Sequence, residues 1–125
     1  MSINNRFTVV GTMDGHAFRW TQALGLEDLG TLPGDVSATL VAVNNQNTAV
    51  GTSMSPQGPP PGGSAPPATK AVRVRGATMV DLNTLVNLPA GWTLVRAVGI
   101  SEDGVIGGVA VVGQEVHAVL LVPKP

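Results

Sequence analysis

The sequence predicts an all-β protein made of short repeated strands. Valine supplies 19 of its 125 residues and threonine 11, against two Phe, two Trp and no Tyr. β-Branched side chains suit a pleated surface and lose rotamer freedom in a helix. Sixteen Gly and ten Pro punctuate the short apolar runs, where turns belong. No long stretch keeps a 3.6-residue apolar period free of Gly and Pro, and Val80 to Leu88 is the nearest helical candidate.

The third observation is an internal repeat. Ile3-Asn4-Asn5-Arg6-Phe7-Thr8-Val9-Val10-Gly11-Thr12 recurs as Val43-Asn44-Asn45-Gln46-Asn47-Thr48-Ala49-Val50-Gly51-Thr52, and again, more weakly, as Ile100 to Gly108. A second element follows each copy: His16-Ala17-Phe18-Arg19-Trp20, Lys70-Ala71-Val72-Arg73-Val74 and His117-Ala118-Val119-Leu120-Leu121. A third appears twice, as Leu26 to Leu32 and Met79 to Leu85, and a fourth, Ala38 to Val43 and Leu94 to Ile100, leads back into the first.

Each element has a physical reason. The Asn-Asn pair can bond its own backbone and tolerates left-handed angles, as a tight turn requires. Val-Val-Gly reads as a short buried strand whose glycine permits a close neighbour or a bulge. In the second element the period of two sets Phe18 and Trp20, or Val72 and Val74, on a core face and sends Arg19, Arg73 and Arg75 to solvent. The spacing predicts ten strands, at 7–12, 16–20, 25–29, 37–43, 47–53, 70–75, 79–82, 94–99, 105–112 and 116–122. Four such strands per unit, none able to bury its own face, describe propeller-like blades.

His16-Ala17-Phe18-Arg19-Trp20 and Asp28-Leu29-Gly30-Thr31-Leu32, in that order after the Asn-Asn turn, resemble the bacterial HAF repeats, a family of extracellular repeat sequences. The resemblance covers nearly the whole chain apart from a Pro/Gly-rich insert at 55–69. It departs at Phe7 and Asn47, where the family turn carries Gly, and at the second copy of His-Ala-Phe-x-Trp. It implies a propeller-like architecture and an extracellular location, and brings no catalytic motif. The N-terminus enters directly on a repeat without a charged-then-apolar leader, which implies a cytoplasmic chain if the sequence is complete.

The expected organisation is therefore one all-β domain over 1–125, with 55–69 as a long hairpin loop. Ten strands fill two blades and a half, whereas closed propellers have about four to eight blades. Open strand edges and apolar faces favour pairing with another copy. The sequence thus predicts a homo-oligomer, a dimer or trimer that completes a partial propeller. The alternative is a single-chain β-sandwich or curled barrel.

Composition narrows the function. A formal net charge of -1 with seven Lys and Arg does not suit a nucleic-acid backbone. The apolar runs are far shorter than the ~20 residues of a membrane helix, and the absence of Cys removes disulfides and thiolate metal sites. His16 and His117 are equivalent strand-start residues and suggest no metal site. Asp28 and Asp81 are equivalent too, and each is expected to bond its own turn. Lys70, Arg73 and Arg75 form the one cationic cluster, read as a solvated strand face. No catalytic, cofactor or metal residue is assigned. Trp92, placed in a loop by Leu88-Pro89-Ala90-Gly91, is the candidate ligand-binding residue, able to stack on a sugar or anchor a partner. The expected function is a non-enzymatic binding or structural module that recognises a carbohydrate or protein. The alternative is a hydrolase whose acids, Asp28, Asp81 and Asp103, meet at a subunit junction.

Overall fold

The computed structural model describes residues 1–55 and 69–123. Strands β1 (Ser2–Ile3), β2 (Val9–Met13), β3 (His16–Thr21) and β4 (Gly25–Gly30) form sheet I. Sheet II contains β5 (Ser37–Val43), β6 (Ala49–Met54), β7 (Thr69–Arg75) and β8 (Thr78–Asp81), and sheet III contains β9 (Trp92–Ile100), β10 (Ile106–Val112) and β11 (Glu115–Leu121). All pairings are antiparallel, every sheet is a meander of consecutive strands, and none closes on itself. The all-β expectation holds. The curled barrel does not form, because the first and last strands lie in different sheets. Residues 56–68 of the expected hairpin loop lie outside the described residues.

Two cores hold the sheets in series. Val10 and Ala17 of sheet I pack on Leu40, Val43, Ala49, Val72 and Val74 of sheet II. Val50 and Ala71 of sheet II, with Leu82 just after it, pack on Leu94, Ala97, Ile106 and Ala110 of sheet III. Leu40 and Leu94 are fully buried, each stabilising the fold by about 2–3 kcal/mol. Sheet II buries both faces, so Ala49, Val50 and Gly51 are buried in succession with no polar alternation.

Successive turns are joined by a ladder of polar contacts. Asn4 Oδ1 accepts from the backbone N–H groups of Arg6 and Thr8, and Asn44 Oδ1 accepts from those of Gln46 and Thr48. Each side chain also reaches the following sheet: Asn4 Nδ2 donates to the Asn44 carbonyl at 2.7 Å, and Asn44 Nδ2 to the Ser101 carbonyl at 2.9 Å. One residue further on, the Asn5 N–H donates to Asn45 Oδ1, and the Asn45 N–H to the Glu102 carboxylate. The left-handed residue of the three turns is Phe7, Asn47 and Gly104, with φ of 61°, 60° and 87°. The repeat in sequence is thus a repeat in geometry.

The strand-crossing glycines have a steric cause. The first strand of sheet II is irregular between Leu40 and Ala42 as it pairs with Gly51. A Cβ on Gly51 would collide with the Thr39 carbonyl oxygen, and one on Gly108 would stand 3.0 Å from the Arg96 carbonyl oxygen.

Three expectations change. Strand β1, only two residues long, escapes a period-based reading, so the sheets hold four, four and three strands. The helical candidate 80–88 contributes only the 3-10 turn Leu82–Thr84. In sheet I the two faces of β3 are reversed: Ala17 is buried and Arg19 lies between sheets I and II, while Phe18 and Trp20 face the uncovered side. Alternation separates two faces of a strand but cannot rank them when a stack buries one face of one sheet and both of the next.

Gly51→Ala is expected to lower unfolding free energy by about 2–4 kcal/mol through overpacking against backbone. Gly99→Ala, where no atom lies within 4 Å of the added carbon, is expected to change it by less than about 1 kcal/mol. Asn44→Ala should cost about 2–4 kcal/mol, because it leaves two turn N–H groups without partners and removes one of the two bonds to the Ser101 carbonyl. Urea unfolding of the three variants against the parent measures all of these.

Candidate functional site

The turn residue Thr48 before β6, strand β7, the 3-10 turn after β8 and residues of sheet III border an open cavity of about 630 Å³. Leu82, Leu85, Val86, Ile106 and Leu121 give it an apolar wall, and Arg73 and Arg75 supply its charge. The wall forms because the turn swings residues 82–86 off the sheet edge. Asp81 starts that turn by accepting from Asn83 N–H, while Asn83 pins it to β9 through Nδ2 to the Leu94 carbonyl and Oδ1 from the Leu94 N–H.

The two arginines differ sharply from their counterpart in sheet I. Arg19 and Arg73 occupy the same repeat position on the third-element-facing strand. Arg19 stands opposite Glu27, donates to it from Nε at 3.0 Å and Nη2 at 3.1 Å, and spans to the Gly76 carbonyl of sheet II. Arg73 stands opposite Val80. Its Nε is sealed from solvent with no acceptor, and neither Arg73 nor Arg75 has an acidic partner among the described residues. A buried donor left in this state costs about 1–3 kcal/mol. Burial pushes the Arg73 guanidinium below its ordinary value, and the nearby charge of Arg75 adds to this. Lys70, expected beside them on a solvated face, points elsewhere and pairs with the buried Asp35 at 3.0 Å, where Ser53 Oγ also donates.

Trp92 opens β9 as its first residue and is half-buried, with its ring tilted 32° over His117 at a centroid distance of 4.7 Å. His117 Nε2 lies 3.0 Å from Glu115 Oε2. The equivalent His16 meets Asp28 at 3.0 Å, beside a smaller cavity of about 270 Å³ on the uncovered face of sheet I, also lined by Met13, Phe18 and Leu26. His16 and the Gly30 N–H lower the Asp28 carboxyl from its ordinary value. These are two-residue pairs, and no cluster of three metal-ligating side chains forms among the described residues. Asp28, Asp81 and Asp103 belong to three different sheets, and neither cavity is lined by two of them. Within one chain they do not converge.

The sequence places Arg73 in a solvated cationic cluster and does not show that it lacks the acid its counterpart has. Its signal is a cross-strand exchange, Glu27 for Val80, visible only once the strand register is known. Compared with family models, with curated proteins and with solved structures, the chain has no match.

Glu27 carries a testable pH dependence. Hydrogen bonds from Arg19 hold its carboxyl below the ordinary glutamate value, burial opposes this less strongly, and the charge of Arg19 adds to the lowering. A depressed carboxylate stabilises the fold above its unfolded value, and that stabilisation disappears as pH falls through the folded one. The parent should therefore melt above Glu27→Gln at neutral pH, and the gap should close on acidification. A gap independent of pH contradicts this assignment.

Proposed function

We propose that the chain is a non-enzymatic repeat module whose propeller-like blades associate head to tail with those of further copies and which acts by binding. The observation that carries this reading is the pair of unmatched ends in a periodic stack. Val10 and Ala17 are covered by sheet II, and Val50 and Ala71 by sheet III. Their equivalents on sheet III, Gly107 and Ala118, lie on a face shared with Val98, Val109, Val111, Val116 and Leu120, of which Leu120 is 73% exposed. At the other end, Ala49, Val72 and Val74 pack on sheet I, while among the described residues no sheet covers their equivalents Val9, Phe18 and Trp20.

The polar ladder supports the same polarity. Its leading turn offers Asn5 Oδ1 as a free acceptor, and its trailing turn offers the Glu102 N–H as a free donor among the described residues. Donor and acceptor lie at opposite ends, so copies join front to back. Such heterologous contacts build rings when the rotation closes. Two chains bring six sheets and three bring nine, and the dimer falls within the usual count of about four to eight blades.

Phe7 fits this picture. It holds a left-handed conformation that costs a bulky residue about 1 kcal/mol or more, and it is 68% exposed. The equivalent Asn47 side chain reaches the preceding sheet, accepting from Asn4 Nδ2 and Thr8 Oγ1. By the repeat, Phe7 belongs against the trailing turn of a neighbouring copy.

Light scattering should return a mass of two or three times 12.7 kDa. Leu120→Glu should shift the mass to one chain with native circular dichroism, and Phe7→Gly should raise the melting temperature of that monomer while weakening association of the parent. A parent that stays at 12.7 kDa at high concentration overturns the head-to-tail reading.

A further inference from the structure

We propose that the cavity between sheets II and III binds an amphiphilic monocarboxylate, with its head group on Arg73 and Arg75 and its hydrocarbon tail against Leu82, Leu85 and Val86. Self-association is not required, because the cavity lies within one chain.

The charge is present without its complement. At the equivalent place in sheet I, the chain supplies its own carboxylate, Glu27, to Arg19 through two parallel N–H bonds. In sheet II that carboxylate is replaced by Val80, and among the described residues no other acid takes over. A guanidinium is always charged in proteins, so Arg73 cannot relieve the mismatch by losing its proton. Among the described residues the charge has no internal complement, which leaves a place for an anion from outside. With Nε sealed, the two terminal nitrogens of the guanidinium are the pair that can hold a carboxylate at two points.

The remainder of the cavity selects for a hydrocarbon. Besides the arginines, its wall is mainly aliphatic, with Thr48 and Asn87 as its other polar side chains. Among the described residues no aromatic ring lines it to stack on a sugar. Its volume of about 630 Å³ falls in the ordinary range for small-molecule sites, ~300–1,000 Å³. The positive charge is also local, since the chain as a whole carries a formal net charge of -1.

The test is titration of the purified chain with sodium octanoate, followed by calorimetry and by amide NMR shifts. Acetate and 1-octanol supply the head alone and the tail without charge. Octanoate is expected to saturate, shifting the amides of Arg73, Leu85 and Val86, and to bind at least about tenfold more tightly than either control. Arg73→Gln should weaken octanoate binding at least about tenfold, and Arg75→Gln should weaken it less. Val80→Glu restores the internal carboxylate of sheet I. It should abolish octanoate binding while raising the melting temperature, and this variant keeps the test decisive if Arg73→Gln fails to fold. The monomeric Leu120→Glu chain should bind octanoate as the parent does. The proposal is overturned by absence of saturable binding, by 1-octanol matching octanoate, or by undiminished octanoate affinity in Val80→Glu.

Discussion

A side-chain amide in each of the first two repeats, Asn4 and Asn44, organises this molecule. Asn44 closes its own turn with one oxygen that takes two backbone N–H groups, and with its nitrogen grips the carbonyl of the next turn 57 residues on. It is only 3% exposed, so its three hydrogen bonds inside the protein matter energetically: a buried amide with a missing partner costs about as much as a lost hydrogen bond. Because the same group sets turn shape and turn-to-turn spacing, the three sheets stack in one register. The apolar side chains then fall opposite one another in two cores. Ser101, which replaces Asn in the last turn, still closes its turn through Oγ but has no amide with which to grip a further carbonyl.

This arrangement explains why a chain so rich in Val and Gly yet so poor in aromatic residues can form a stable core. Sheets approach closely where their facing residues are small: Ala17, Ala38 and Ala49 at the first interface, Ala71, Ala97 and Ala110 at the second. Gly51 and Gly108 let an irregular first strand cross its neighbour at backbone contact. Between the cores, buried polar groups are paired locally, as in the Ser53–Asp35–Lys70 network, with the Nε of Arg73 left as the unpaired buried side-chain atom among the described residues. An otherwise satisfied interior makes that one atom informative.

Much of the fold was legible because the repeat imposes its own alignment. Turns at Asn4, Asn44 and Ser101, the strands that follow them and the carboxylates that bond their own turns, Asp28 to Gly30 N–H and Asp81 to Asn83 N–H, all follow from short-range chemistry. What escaped depends on which sheet covers which. Phe18 and Trp20 look like core and Arg19 like surface until sheet II is seen to lie on the arginine side. Trp92 reads as a loop residue after Pro89-Ala90-Gly91, yet it begins β9 and rests on His117. Arg73 was misjudged for the same reason, since strand alternation alone does not reveal that the face opposite Val72 and Val74 is also an interior.

The central claim is that the turn ladder joins repeats in series and continues from copy to copy. Amide hydrogen exchange reads this ladder rung by rung. The Asn5 and Asn45 N–H groups, each accepted by the side chain of the next turn, should exchange slowly at all protein concentrations. The Glu102 N–H should exchange freely in dilute solution and become protected as concentration rises. Free exchange at Asn45, or a Glu102 N–H indifferent to concentration, would contradict the account.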